Sequence, residues 1–428
     1  MSRAAAYILA LCLVHGAQAY SVLTHEAIID SAWEQNIKPV LLGRFPQATI
    51  ADLTTAHAYA YAGCIIQDMG YYPFGSKYFS DLTHYVRSGD FVVTMIRQAD
   101  DLNEYAFALG ALAHYAADNE GHRIAVNPSV AVEFPKLASE YGPVVTYADN
   151  PIAHIKVEFG FDVLQVARGH YAPQAYHDFI GFRVSKPLLE RAFLDTYGLQ
   201  MKDLFFDLDL ALGTYRRTVS KIIPEMTKVA WDLKKKDLLN AEPGLTRRRF
   251  MYNISRASFE KEWDHRYREP GVGAKLLAFF IRLIPKVGPF EAVAFKPPTG
   301  QTATLFEESF NRTLDLYRTL LMQVRRQTLA LENRDFDTGQ PTQPGEYQLA
   351  DDTYAKLAVQ LSGKNPDEID PKIAANVLGY FRDLNRSYAT KRKSEQWEKT
   401  VAALHRLEAL SLRPASPAAP GTALVPAK

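Results

Sequence analysis

The chain has 428 residues, of which 47% are apolar, 12% aromatic and 23% charged, as is typical of globular proteins. Its formal net charge of +1 excludes a global attraction to nucleic acid or to an anionic membrane, so any such attraction has to be local. The length allows two or three domains, or one large helical domain with an extension.

The first 19 residues have the features of a secretory signal peptide. Arg3 supplies the positive charge, an apolar run follows, and Ala17-Gln18-Ala19 forms a small-residue cleavage site. The apolar run is too short to span a bilayer, and no later stretch is long enough. We therefore expect a secreted or periplasmic protein that begins at Tyr20 and has no integral membrane segment in its mature chain.

Removal of the signal peptide leaves Cys64 as the only cysteine. An exported chain with one cysteine cannot form an intramolecular disulfide, so bound metal is the more plausible stabilising element.

Most of the mature chain has a helical periodicity. The first helical segment is interrupted at Pro39, and an amphipathic helix covers the sequence EYAFALGALAHYAAD. No segment shows the sustained alternation of β-branched residues that strands require, which predicts an all-α fold. Beyond Lys202 the chain has long helical segments but no further His/Asp cluster, and the sequence DTGQPTQPGEY is typical of a linker.

Eight side chains in the first half have the chemistry of zinc ligands, because imidazole and carboxylate are the donors zinc prefers when no thiolate is offered. Three of them recur at i, i+4 and i+8 in one helix, and a second His/Glu pair has the i, i+4 spacing. The eight are His25, Asp68, His84, His114, Asp118, His122, His154 and Glu158.

The order of these donors resembles that of the zinc-dependent phospholipase C and single-strand nuclease superfamily. Its pattern begins at the mature N-terminal residue, here Tyr20, and every side-chain ligand has a counterpart in this chain. The resemblance covers roughly residues 20–200. It departs from the family at Tyr20, where tryptophan is usual, and before His122, where a Gln-Pro turn is missing.

The resemblance implies an all-helical domain with up to three zinc ions. One ion would be held by Asp68, His84, His114 and Asp118. Asp118 would bridge to a second ion, held by His25 and the backbone of Tyr20. His122, His154 and Glu158 would hold the third. A zinc-activated water would attack a phosphoester, and Asp68 would orient that water.

The predicted domain organisation combines this resemblance with the composition of the two ends of the chain. Residues 1–19 form the signal peptide, 20–200 the phospholipase C-like catalytic domain, 201–412 a helical accessory region, and 413–428 a disordered tail.

Two further segments are candidates for contact with substrate or membrane. A loop after Asp68 is rich in aromatic residues, and Tyr71, Tyr72, Phe74 and Phe79 are candidates for lining the substrate cleft. The region 234–286 has 13 Lys/Arg against 6 Asp/Glu and an apolar stretch, which suits peripheral contact with anionic lipid. A solvated basic face beside a buried helix is the simpler interpretation. His57 is either a partner of a metal ligand or a packed core histidine.

Three functions remain open at this stage. The first is phospholipase C-like cleavage of phospholipids or of another phosphodiester. The second is a zinc-dependent nuclease or nucleotidase, for which an aromatic stacking platform is expected. The third is a non-catalytic scaffold or binding protein stabilised by zinc.

Overall fold

The computed structural model describes residues 21–168, 181–219, 234–236, 238–240 and 295–411. The signal peptide, Tyr20, nearly all of the basic region 234–286 and the C-terminal tail lie outside these residues. Contacts divide the chain into two compact units, residues 1–343 and 344–428. Compact units need not coincide with family domains, so the domain boundaries predicted from the sequence stay a prediction.

The described part of the first unit is built from helices, in agreement with the predicted all-α class. Its α-helices in chain order are α1 Val22–Ala32, α2 Lys38–Arg44, α3 Ile50–Gly63, α4 Lys77–Tyr85, α5 Ser88–Gln98, α6 Leu102–Glu120, α7 Asn127–Glu133, α8 Pro135–Tyr141, α9 Pro151–Arg168, α10 Lys186–Tyr197, α11 Leu208–Arg217 and α12 Gly300–Arg325. Two short 3₁₀ segments, Ile66–Tyr71 and Met201–Asp203, lie among them.

Helix α6 forms the centre of this unit. It was expected to be amphipathic, but every side chain from Tyr105 to Asn119 is buried, because α3, α5 and α12 pack around it. Glycines allow α3 and α6 to approach closely: a Cβ on Gly63 would lie 2.0 Å from the Phe107 carbonyl oxygen. The side chain of Asp101 caps the helix by accepting hydrogen bonds from two backbone amides.

Two π-helical segments interrupt the regular helices without ending them. Trp33–Ile37 joins α1 to α2, and Gly121–Val126 joins α6 to α7. In both places a proline is the second residue of the next helix, Pro39 or Pro128. Proline crowds the carbonyl four residues before it, and the wider π turn relieves this contact. The predicted interruption at Pro39 takes the form of a π turn just before this residue, and the chain stays helical through it.

A small hairpin follows α12. Strands β1 Arg334–Asp335 and β2 Gln340–Pro341 pair antiparallel, with Arg334 opposite Pro341. The Asp335 side chain accepts hydrogen bonds from the backbone and hydroxyl of Thr338, and Gly339 has a φ of +66°. The prediction that the chain is a linker from Asp337 onward was wrong for the hairpin, whose turn is ordered by these contacts.

The described part of the second unit, residues 344–411, contains three α-helices, α13 Gln348–Ser362, α14 Pro371–Tyr380 and α15 Ser394–Ser411, and the 3₁₀ segments Pro366–Glu368 and Ala389–Arg392. Its core includes Tyr354 stacked on Tyr380 at 3.8 Å between ring centroids. Asp351 accepts hydrogen bonds from the Tyr380 hydroxyl and the Ala389 amide, which joins this core to the chain before α15. No helix in the described residues has the length and apolarity needed to cross a membrane.

Candidate metal centre

The structure brings the eight predicted donor side chains into the interior of the first unit. Each has an exposed fraction of 2% or less. They lie on five pieces of the chain: α1, the 3₁₀ segment Ile66–Tyr71, α4, the α6–π segment, and α9. Two sets can each hold an ion, because their ligand atoms lie within 4.8 Å of one another. The sets are Asp68, His84, His114 and Asp118 (the first donor set), and His122, His154 and Glu158 (the second donor set).

The first donor set has the dimensions of a zinc site. The Nε2 atom of His84 lies 3.2 Å from an Asp68 oxygen and 3.4 Å from Nε2 of His114, and the latter atom lies 3.1 Å from Asp118. Ligand atoms about 2.0–2.1 Å from a tetrahedral ion are about 3.3 Å apart. Neither oxygen of Asp68 or Asp118 has a hydrogen-bond partner, although both residues are fully buried. Such orphaned carboxylates fit a cation between them.

Asp118 faces donors on both of its sides. One of its oxygens is 3.5 Å from Nε2 of His25, and the other is 3.1 Å from His114 and 3.4 Å from His84. This arrangement suits a carboxylate that bridges two ions. His25 stacks on His114 at 4.7 Å, and its predicted partner Tyr20 lies outside the described residues.

Backbone carbonyls set the tautomers of two histidines in the first donor set. Nδ1–H of His84 donates to the Ser80 carbonyl, and Nδ1–H of His114 donates to the Cys64 carbonyl. Each imidazole therefore directs Nε2 toward the carboxylates, and Nε2 is the nitrogen that would ligate a metal once its proton is lost.

Asn127 sets the tautomer of His154, which belongs to the second donor set. Its amide Nδ2 donates to the Asp337 carbonyl, so its Oδ1 accepts from Nε2–H of His154 at 2.7 Å. Nδ1 of His154 then faces a Glu158 oxygen at 2.8 Å. Burial raises the pKa of Glu158 well above its usual range, so without a metal its carboxyl proton occupies this gap. A zinc ion would replace that proton.

His122 lies outside the first donor set, although it follows His114 and Asp118 at helical spacing. On a regular helix, positions i and i+8 differ by about 80° around the axis. His122 lies in the π segment that begins at Gly121, and it stacks against His154 at 4.9 Å. Neither ring nitrogen of His122 has a hydrogen-bond partner.

The pKa values of the first donor set and of His25 show which of these side chains are charged without a metal. Despite the opposing effect of burial, the nearby carboxylates of Asp118 and Asp68 raise the pKa of His84 to about 10. Burial and His114 lower the pKa of His25 to about 3. Burial would raise the pKa of Asp118, but His114 and His84 hold it well below its usual range. Metal-free protein thus keeps Asp118 ionised beside a protonated His84.

A carboxylate anchors the chain next to His25. Asp162 on α9 accepts hydrogen bonds from the backbone amides of Leu23 and Thr24 and from the Thr24 hydroxyl at 2.6 Å. Burial raises the pKa of Asp162 to about 6. This contact places the first turn of α1, and hence His25, against the helix that carries His154 and Glu158.

The structure separates the four aromatic residues predicted to line a cleft. Tyr71 contacts the His84 ring at 5.9 Å, whereas Tyr72 packs on Tyr215. Phe79 is fully buried against two phenylalanine rings of the core, and Phe74 is 46% exposed. Only Tyr71 of the four therefore has a ring contact with a predicted ligand among the described contacts, and the cleft roles stay predictions.

His57 lies away from both donor sets. Its ring stacks on Trp33 at 3.7 Å, and its Nε2 lies 3.2 Å from Asp30. These contacts are those of a packed histidine, in agreement with the simpler of the two interpretations.

Sequence reasoning missed three side chains at the centre. Asn127 and Asp162 hold the donors, and Asp337 lies beside His122. Sequence spacing does not reveal these three residues, because each contacts a residue on another element that is distant in the sequence.

Comparison with known proteins supports the interpretation of the donors. Residues 24–207 match the family model described as zinc dependent phospholipase C. Neither the curated proteins nor the solved structures give a match. The matched segment contains all eight predicted donor side chains. The resemblance inferred from their order is thus confirmed: residues 24–207, which are less than half of the chain, are similar to the zinc-dependent phospholipase C family.

Proposed function

We propose that this protein is an exported zinc-dependent hydrolase that cleaves phosphodiesters, with phospholipids as substrates, in the manner of a phospholipase C. The match of residues 24–207 to the family model and the two donor sets support a zinc hydrolase. The observation that carries the proposal is the placement of Asp118, whose two oxygens face different histidines. A bridged pair of cations suits an anionic phosphate ester.

When bound, zinc would supply Lewis-acid activation of water and of the phosphoryl oxygens. The chain's own groups would orient the reaction. Asp68 lies at the edge of the first donor set and would orient the attacking water through a carboxylate oxygen. Ser80 and Cys64 carbonyls would keep His84 and His114 in the ligating tautomer. Because the donors are buried, turnover requires movement of covering residues, among which Tyr71 contacts His84.

The test combines zinc content with turnover on one sample of protein that begins at Tyr20. We expect about three zinc ions per chain and chelator-sensitive release of phosphorylated headgroup from phosphatidylcholine vesicles. Asp118→Asn should abolish turnover because it disturbs two ions. Glu120→Gln, at a partly exposed position on the same helix, is the matched control.

Other outcomes would redirect the proposal. Cleavage of single-stranded oligonucleotides without cleavage of vesicles would replace the lipase by a nuclease. Zinc binding with no turnover of either substrate would leave a zinc-stabilised scaffold. Export is tested separately, by the N-terminal sequence of protein recovered outside the cytoplasm, which should begin at Tyr20.

A further inference from the structure

The hairpin of β1 and β2 inserts its turn beside the donor sets, although it lies outside the segment that matches the family. The Phe336 amide donates to the His84 carbonyl, and the Thr342 hydroxyl donates to the Tyr85 carbonyl. Ser88 donates to the Arg334 carbonyl at 2.6 Å. These bonds fix the hairpin to the end of α4, the helix that carries His84, and to the start of α5.

Phe336 and Gly339 fit the hairpin closely to the centre. The Phe336 ring is fully buried and lies 5.2 Å from the His84 ring and 6.0 Å from the His114 ring. A Cβ on Gly339 would lie 2.4 Å from the carbonyl oxygen of Asn119 on α6. The hairpin is therefore packed against the helix that carries His114 and Asp118.

The turn carries a carboxylate into this interior. Asp337 is fully buried, and its Oδ2 accepts a hydrogen bond from the Tyr85 hydroxyl at 2.9 Å. Its Oδ1 lies 3.6 Å from Nε2 of His122. Burial of a carboxylate is costly unless a cation or several hydrogen bonds compensate for it. The Tyr85 hydroxyl donates to one oxygen of Asp337, and a cation beside His122 would lie near the other.

The second donor set offers fewer ligands than zinc takes. His122, His154 and Glu158 offer three ligand atoms, whereas zinc takes four ligands. The 3.6 Å between Asp337 and His122 is close to the distance of about 3.3 Å between two ligands of one tetrahedral ion. Both ring nitrogens of the buried His122 lack a hydrogen-bond partner. The two residues are thus placed as ligands of a common cation.

We propose that Asp337 is a fourth protein ligand of the ion held by His122, His154 and Glu158. The inference rests on the proposed zinc occupancy of the second donor set. A fourth protein ligand fills the position that water or substrate takes in an open catalytic site. This ion therefore admits substrate only when the carboxylate of Asp337 is displaced, and the hairpin controls access to it.

The experiment measures zinc affinity of the full-length mature protein by competition with a chromophoric chelator. Asp337→Asn keeps the size of the side chain and an acceptor for Tyr85 but removes the charge. We expect the affinity for one ion to fall by about tenfold or more, since even partners of metal ligands contribute 10–100-fold. Glu332→Gln is the matched control, because it removes the same charge from an exposed side chain in the same segment.

A spectroscopic readout separates ligation from a structural effect. Cobalt bound in place of zinc absorbs visible light with a spectrum that depends on its ligand number. Asp337→Asn should change the spectrum of one cobalt ion, and Glu332→Gln should leave it unchanged. Equal affinities and equal spectra in wild type and Asp337→Asn would overturn the inference.

A crystal structure of the zinc-loaded wild type tests the same inference without any substituted protein, so it remains possible even if Asp337→Asn does not fold. An Asp337 oxygen about 2.0–2.2 Å from the ion beside His122 is the expected result. A water molecule in that position, with the carboxylate turned away, would refute the ligand role. Absence of zinc from the wild type would instead contradict the proposed function itself, so the two failures are distinguishable.

Discussion

At the scale of single residues, the donors were the most predictable part of this protein. Eight histidines and carboxylates in the order of a known family, five of them at helical spacings, rarely occur together except at a metal site. Their partners were not predictable, because Asn127 reaches His154 across two helices and carries no local pattern. A contact between distant residues leaves no trace in one sequence.

The role of Asn127 leads to a prediction about metal affinity. Asn127→Ala removes the acceptor that fixes the tautomer of His154, so the affinity of the second donor set for zinc should fall by about 10–100-fold. Asn127→Asp keeps an oxygen at that position and should retain most of the affinity. Competition with a chromophoric chelator measures both. Equal affinities of Asn127→Ala and wild type would show that the tautomer does not depend on this residue.

The raised pKa of the buried Glu133 should make the stability of the protein depend on pH. Burial raises the pKa of Glu133 to about 7 from 4.5, although Thr302 and Lys296 oppose the shift. The folded protein therefore binds an extra proton between pH 4.5 and 7, and stability falls as pH rises through this range. Glu133→Gln should remove the loss and stabilise the protein by up to about 3 kcal/mol at pH 8.

Denaturation with urea at pH 5 and pH 8 measures the effect, with the difference from wild type taken at each pH. The increase in the free energy of unfolding of Glu133→Gln over wild type should be present at pH 8 and small at pH 5. Glu140→Gln, at an exposed position on α8, is the control and should show no such difference. A gain of equal size at both pH values would mean that the charge of Glu133 is not its cause.

At the scale of elements, helices were predicted correctly and their irregular joints were not. A π turn has nearly the same pattern of apolar residues as an α-helix, so Trp33–Ile37 and Gly121–Val126 could not be recognised from periodicity. The hairpin was mistaken for a linker because Gly, Pro and Thr are common to both. Its order depends on tertiary contacts, such as the bond from Ser88 to the Arg334 carbonyl.

Gly339 should be essential for the position of the hairpin. Its φ of +66° disfavours a side chain, and a Cβ would meet the Asn119 carbonyl at 2.4 Å. Gly339→Ala should destabilise the first unit by about 2 kcal/mol, from backbone strain and overlap together. Gly43→Ala on α2 is a control, since a Cβ there meets nothing within 4 Å and should be neutral or stabilising.

Chemical denaturation, with hydrogen exchange of the His84 to Ser88 segment, would measure this effect. Gly339→Ala should speed exchange where the hairpin is bonded to α4. Unchanged stability and exchange would show that the hairpin adapts without leaving its place.

At the scale of the whole molecule, the metal donors belong to one compact unit. All eight lie before residue 343, and α12 also packs in this unit, where the Tyr317 hydroxyl donates to the Leu109 carbonyl of α6. The sequence placed α12 in an accessory region because its residues include no predicted ligand. Packing against α6 could not be recognised from the sequence, since the apolar face of one helix does not indicate which other helix it packs against.

Removal of zinc should therefore affect the two units differently. A ligand present at about 1,000 times its dissociation constant stabilises the folded state by about 4 kcal/mol. A chelator should thus increase hydrogen exchange in α6 and α9 but leave α13 and α15 unchanged. Hydrogen exchange measured by mass spectrometry with and without chelator tests this expectation. An equal increase in both units would show that they unfold together.

The hairpin also has a consequence for the order of events during synthesis. Asp337 follows Glu158, the last of the eight donors, by roughly 180 residues, and ribosomes add about 5–20 residues per second. Both donor sets have therefore been synthesised roughly 9–36 seconds before Asp337 is added to the nascent chain. Chains stalled or truncated within that interval would present the histidines without the hairpin, and ribosome-bound intermediates should differ from finished protein in their capacity to take up and lose metal.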